Sequence, residues 1–346
     1  MESSFILFLF ILSPTLGGRI GGGRSAYMSF QDVVCPAEED ITPCVCYEVN
    51  PETLDIDCSA VLDEDELAAV FQANFPSTSF RRLVINSNPN LKLLRNGDLG
   101  EASFQEIWIT QGVLEAIEEG ALSGSSSTLL HLVFNYNNIS TFPFADLESF
   151  TELISLDLRS NNIEGFPTLS SATLKTLYLS KNPLGILPDD AFFGTPALED
   201  IHLSSTKISV VNSGTFAELE HLTVLGLGNN LITYLEEEAI QCSPSVGLID
   251  LGYNALRSVQ ANAFPGLVNG WIYIHHNALR VLEENIWKPI LLQGGYIDPY
   301  GNPLQCGCDI AWAVRNSSLI NGFDIYSTCS DGRRLTELDP VDYENC

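Results

Sequence analysis

Cysteine is the residue type in this sequence with the most potential chemistry, and eight of the nine cysteines stand in two groups of four. Cys35, Cys44, Cys46 and Cys58 lie near the start; Cys306, Cys308, Cys329 and Cys346 lie at the end; Cys242 stands alone between them. Thiols grouped this way can ligate a metal or pair as disulfides. Zinc sites favour cysteine pairs two to four residues apart, and each group here contains a tighter Cys-x-Cys. Disulfides are therefore expected, three pairings being possible within each group, and no metal is assigned. Cys242 reads as a small buried apolar residue, the alternative being a thiol bonded to a partner chain.

Other candidate chemistry is sparse. His275 and His276 are neighbours, and on a strand their side chains would leave opposite faces, which is unsuited to a shared metal. The acidic "LDEDEL" at 62–67 lacks the glycine and terminal Glu of a calcium loop and is expected to open a short helix. The triplet Gly21–Gly23 precedes no strand–helix unit and reads as linker. There is no G-x-S-x-G elbow and no H-E-x-x-H pair. No catalytic residue and no cofactor are assigned.

Charge and termini narrow the setting. Acidic residues outnumber basic ones 44 to 16, a net charge of −28. Such a surface repels nucleic acid and anionic membranes and favours cationic partners. The apolar run Phe5–Leu12 has the length of a signal-peptide core and is too short to span a bilayer. Residues 1–18 are expected to be a signal peptide and 19–34 a flexible leader. No later apolar run is long enough for a membrane anchor, so a secreted, extracellular protein is expected. In that setting "NIS" at Asn138 and "NSS" at Asn316 are glycosylation acceptors.

What must position these residues is a repeat. Anchored on Asn230, the pattern L-x-x-L-x-L-x-x-N-x-L recurs around Asn88, Asn137, Asn161, Asn182, Asn254, Asn277 and Asn302, with Gly112 and Thr206 replacing the Asn in two copies. Successive anchors are 24, 25, 24, 21, 24, 24, 24, 23 and 25 residues apart. This resembles the leucine-rich-repeat family, whose period is about 20–29 residues. The resemblance implies an α/β solenoid: a horseshoe of about ten repeats over 80–304, with a parallel concave sheet. The Asn amides are expected to satisfy backbone groups where the chain leaves each strand; the turns at Gly112 and Thr206 should be less well tied. Phe192, Phe216, Phe264 and Trp287 should be buried under the convex face, and the 21-residue repeat after Asn161 should leave a thin wall there.

A solenoid leaves both ends of its core open, which gives the cysteine groups a purpose. They resemble the family's N-terminal cap (35–79) and C-terminal cap (305–346), with Trp312 over the last repeat. The resemblance implies first-to-third and second-to-fourth pairing: Cys35–Cys46, Cys44–Cys58, Cys306–Cys329 and Cys308–Cys346.

The frame also predicts which side chains line the concave face: those six, four and two residues before each anchor. Trp271, Tyr273, His275, Tyr296 and Tyr300 gather over the last two repeats, beside a shallow expected at the small residues Gly226, Gly228 and Gly252. With Tyr178 of the middle column they are the candidate partner-binding residues, since aromatic clusters mark interaction hot spots. The alternative is that the C-terminal cap folds over the rings and buries them. Finally, "CPAEEDITPCVC", "LDIDCS", "DEDELAAVFQANFP" and "SFRRLVINSNPNLKLL" resemble a narrower family, the non-catalytic subunits of luciferin 2-monooxygenases. That resemblance implies a non-enzymatic secreted subunit associated with a small catalytic luciferase partner. The other expectation kept open is an extracellular recognition protein without a stable subunit partner.

Overall fold

The computed structural model describes residues 34–241, 243 and 246–346. The expected signal peptide, nearly all of the leader, and Cys242 lie outside the described residues.

Twelve strands form one sheet: β1 (Val45–Asn50), β2 (Thr53–Asp57), β3 (Ser79–Asn86), β4 (Ser103–Thr110), β5 (His131–Val133), β6 (Ser155–Asp157), β7 (Thr176–Tyr178), β8 (Asp200–His202), β9 (Val224–Gly226), β10 (Leu248–Asp250), β11 (Trp271–Tyr273) and β12 (Tyr296–Asp298). They are hydrogen-bonded in chain order, all parallel except the antiparallel β1–β2 hairpin. The register is uniform: Asp200 stands beside Val224, Val224 beside Leu248, and Leu248 beside Trp271. Residues at equal offsets from each anchor therefore form columns. The hairpin, a cap element in the sequence, carries the sheet two strands beyond the repeats.

Alternation along each strand sends Leu225, Ile249, Ile272 and Ile297 into a fully buried core. Phe192, Phe216 and Trp287 close it from the convex side, each at most 1% exposed, and Phe264 at 6%. Trp287 sits on the helix Glu284–Leu292. The short repeat has no helix or strand between Asp157 and Thr176, so its convex wall is bare loop.

The chain leaves every strand in the same way. The residue before each anchor is left-handed: Ser87, Gln111, Tyr136, Ser160, Lys181, Ser205, Asn229, Tyr253 and His276 have φ between 52° and 62°, and Gly301 72°. This bend turns the anchor inward, where its amide ties two repeats. Asn254 Nδ2 donates to Leu227 O of the preceding repeat and to Leu251 O of its own, both at 3.0 Å, and its Oδ1 accepts from Ile232 N. The turns at the two replaced anchors are not loose, contrary to expectation, because the downstream asparagine reaches back. Asn137 Oδ1 accepts from Gly112 N, and Asn230 Oδ1 accepts from both Thr206 N and Thr206 Oγ1.

Both ends are closed covalently. Cys35 is bonded to Cys46, Cys44 to Cys58, Cys306 to Cys329 and Cys308 to Cys346. In the N-terminal region the helix Glu64–Phe71 is capped by Asp63, whose carboxylate accepts Glu66 N, while Glu66 Oε2 accepts Leu62 N. Glu64 accepts from Lys92 N and Leu93 N and so fastens this helix to the first repeat. At the other end Trp312 donates to Leu282 O at 3.0 Å, seated on the last repeat.

Candidate partner-binding face

The concave columns divide into two chemically different halves. Over the first repeats three carboxylates are paired with arginines. Arg81 pairs with Asp55 of β2, Arg82 with Glu106 at 2.7 Å, and Arg159 with Asp157 at 2.7 Å. These arginines also lie on rings: Arg82 is 3.9 Å from the Trp108 centroid and Arg159 4.5 Å from that of Tyr178. Tyr178 in turn stacks on His202 at 4.6 Å, and burial draws the His202 imidazole below its ordinary pKa.

The last repeats carry rings instead. Trp271 packs against Tyr296 at 4.9 Å and against Tyr273 at 6.3 Å; Tyr273 is 6.1 Å from His275. The cap does not cover them. Trp271 is 49% exposed and Tyr300 43%, and Tyr273, His275 and Tyr296 are half-buried. The cap meets the cluster at its edge, where Asp324 accepts the Tyr296 hydroxyl at 3.1 Å. Burial and the nearby Asp324 carboxylate push that phenol up from its ordinary pKa.

Two features of the cluster depart from expectation. His275 and His276 do not leave opposite faces. Both follow the end of β11, and the left-handed backbone at His276 brings the rings to 5.6 Å, edge to face. His276 stacks on Tyr253 at 4.5 Å and meets Tyr300 at 5.3 Å. Tyr253 and His276 thus join the patch; strict strand alternation hides them, and their shared position one residue before an anchor is the signal that finds them. The glycines, in turn, are not an open shallow. A Cβ on Gly252 would lie 2.2 Å from His275 Cε1, and one on Gly228 2.9 Å from Asp250 Oδ2. These glycines, and Gly226 under His202, let larger side chains lie flat over the backbone. Tyr178 is not part of the cluster: four strand spacings, about 19 Å, separate β7 from β11.

Among the described residues no group of His, Cys, Asp and Glu could hold a metal ion. No helix there is long and apolar enough to cross a membrane. Asn138 and Asn316 are both exposed, beside the buried Asn137 and at the start of the helix Ser317–Ile320 respectively.

The family model described as leucine rich repeat matches residues 172–232. Over 313 residues the chain is 38% identical to the Oplophorus-luciferin 2-monooxygenase non-catalytic subunit of Oplophorus gracilirostris, spanning 89% of this chain and 87% of that one. The chain belongs to that leucine-rich-repeat family. It is accordingly a non-catalytic leucine-rich-repeat protein. Solved structures share the solenoid. A chain of the octameric complex of Latrophilin 3, Unc5D and FLRT2 superposes with a TM-score of 0.67 at 18% identity, over 80% of this chain and 86% of that one. A chain of the TLR13–ssRNA13 complex superposes with a TM-score of 0.56 at 20% identity, over 79% and 41%.

Proposed function

We propose that the chain is a secreted binding subunit that associates with a small secreted catalytic partner and stabilises it, the partner being a luciferase subunit of the luciferin 2-monooxygenase type. The observation that carries this reading is the near full-length similarity to a non-catalytic subunit of such an enzyme. Four disulfides suit an oxidising extracellular setting, in which Asn138 and Asn316 would carry glycans. The contact surface is the ring cluster of Trp271, Tyr273, His275, Tyr296 and Tyr300, a set of large amphipathic side chains on two neighbouring strands and the turns that follow them.

A subunit that binds only the folded partner stabilises it by mass action, by about 2.7 kcal/mol at 100 times the dissociation constant. The test is to purify the catalytic subunit of the Oplophorus enzyme with and without this chain. Co-elution and a raised melting temperature of the catalytic subunit are expected, and both should weaken in Trp271→Ala with Tyr273→Ala. Separate elution at every concentration used would defeat the reading.

A further inference from the structure

We propose that the C-terminal half of the concave face takes a cationic side chain, an arginine or lysine of a polypeptide partner, among the rings of Trp271, Tyr273 and Tyr296 and the carboxylates of Asp250 and Asp298. This deepens the binding-subunit reading and rests on it.

The argument starts from register. Tyr273 stands beside Asp250 of β10 on one side and Asp298 of β12 on the other, while Trp271 stands beside Leu248 and Tyr296. Rings and carboxylates therefore form two adjacent rows across three strands. A ring face and a carboxylate attract the same ligand, a cation. Asp324 adds a third negative charge at the edge, on the hydroxyl of Tyr296.

Charge and rings together mark this half of the face; among the described residues Asp57 and Asp200 elsewhere also lack an arginine, and they accept from Ser59 N and Thr223 Oγ1. Asp55, Glu106 and Asp157 at the other end each have an arginine. Asp250, Asp298 and Asp324 make no ion pair with Lys or Arg among the described residues; Asp250 accepts from Gly252 N, Asp298 from Tyr300 N, and Asp324 from Tyr296 Oη and Tyr326 N, all of them neutral donors. Across β9 to β12 the three concave columns contain no Lys or Arg at all. Half-buried negative charge without a counter-ion is unfavourable in the free protein, and burial with the neighbouring Asp324 raises the Asp298 pKa accordingly. At the opposite end the protein shows what completes such a site, since Arg82 and Arg159 each bridge a carboxylate and a ring face. The C-terminal half repeats that arrangement with the arginine missing. A neutral sugar could stack on Trp271, but it would leave the carboxylates without a counter-charge.

The test uses the full chain and two capped tripeptides, acetyl-Gly-Arg-Gly-amide and the same peptide with citrulline, which keeps the shape and removes the charge. Tryptophan fluorescence is titrated, with Trp271→Phe as the blank that assigns the signal. Saturable binding of the arginine peptide is expected, about tenfold or more tighter than the citrulline peptide, and weakened by a similar factor in Asp250→Asn with Asp298→Asn. Equal binding of the citrulline peptide, no saturable signal, an unaffected double variant, or a response to a neutral trisaccharide would each overturn the proposal. Capture of the catalytic partner separates this inference from the reading beneath it. If Trp271→Ala loses the partner while Asp250→Asn with Asp298→Asn keeps it, the surface binds without a cation and only this inference fails. If Trp271→Ala also keeps the partner, the assignment of the face fails as well.

Discussion

Replacing Asn230 by Ala should be more damaging than the same change at Asn254, although both are anchors of the same repeat motif. Asn254 makes three short hydrogen bonds: two from Nδ2 to Leu227 O and Leu251 O, and one to Oδ1 from Ile232 N. Asn230 makes five. Its Nδ2 donates to Leu203 O at 2.8 Å and Leu227 O at 3.0 Å, and its Oδ1 accepts from Thr206 N, Thr206 Oγ1 and Ile208 N. The surplus arises because Thr206 has no amide of its own. At about 1 kcal/mol net for each bond, the losses are about 5 kcal/mol at Asn230 and about 3 kcal/mol at Asn254. Urea unfolding of the disulfide-intact chain measures the difference. Hydrogen exchange at Thr206 and Ile208 localises it, since both amides lose their acceptor. Equal losses, within about 0.5 kcal/mol, would refute the idea that one asparagine serves two turns.

Asp298→Asn should raise stability at neutral pH. A carboxyl whose pKa is raised by folding costs stability above its folded pKa, and the cost disappears as pH falls to the ordinary carboxylate range. The gain in melting temperature should therefore vanish on acidification through that window; a loss at pH 7 would contradict it. Gly100→Ala should cost about 2 kcal/mol or more, because φ is +54° and the new Cβ would lie 2.4 Å from Phe71 O, a backbone atom that cannot swing away. In Gly252→Ala the nearest atoms are those of the His275 ring, a side chain that can shift, so its cost should be about 1 kcal/mol, that of mild overpacking. A shift of the His275 ring resonances, with little change in the urea midpoint, is the result to look for.

Much of this molecule is legible in its sequence because a solenoid is written one strand at a time. The period around Asn230 fixes Leu225 as core and Val224 as face, and uniform register then aligns Leu248 with Trp271 without any long-range information. What escapes is whatever depends on a neighbour. That Asn137 would rescue Gly112 is a contact between repeats. That Gly252 would disappear beneath His275 depends on the side chain one strand away. The histidine pair escapes as well, because strand alternation ends before His276, where φ turns positive. The place of the N-terminal hairpin in the sheet was hidden too, since nothing in β1 carries the repeat.

The regular spacing of the strands also limits what the concave face can recognise. Neighbouring strands stand about 4.8 Å apart, whereas side chains on one face of an extended peptide recur every 6.7 Å or so. The two rulers agree only about once in 19–20 Å, after four strands and three side-chain steps. A peptide laid across the sheet would therefore slip out of phase before it could use the repeat as a repeat. Recognition here has to be punctual, one anchor at one address, and the uneven furnishing of an otherwise periodic surface is what makes such an address possible.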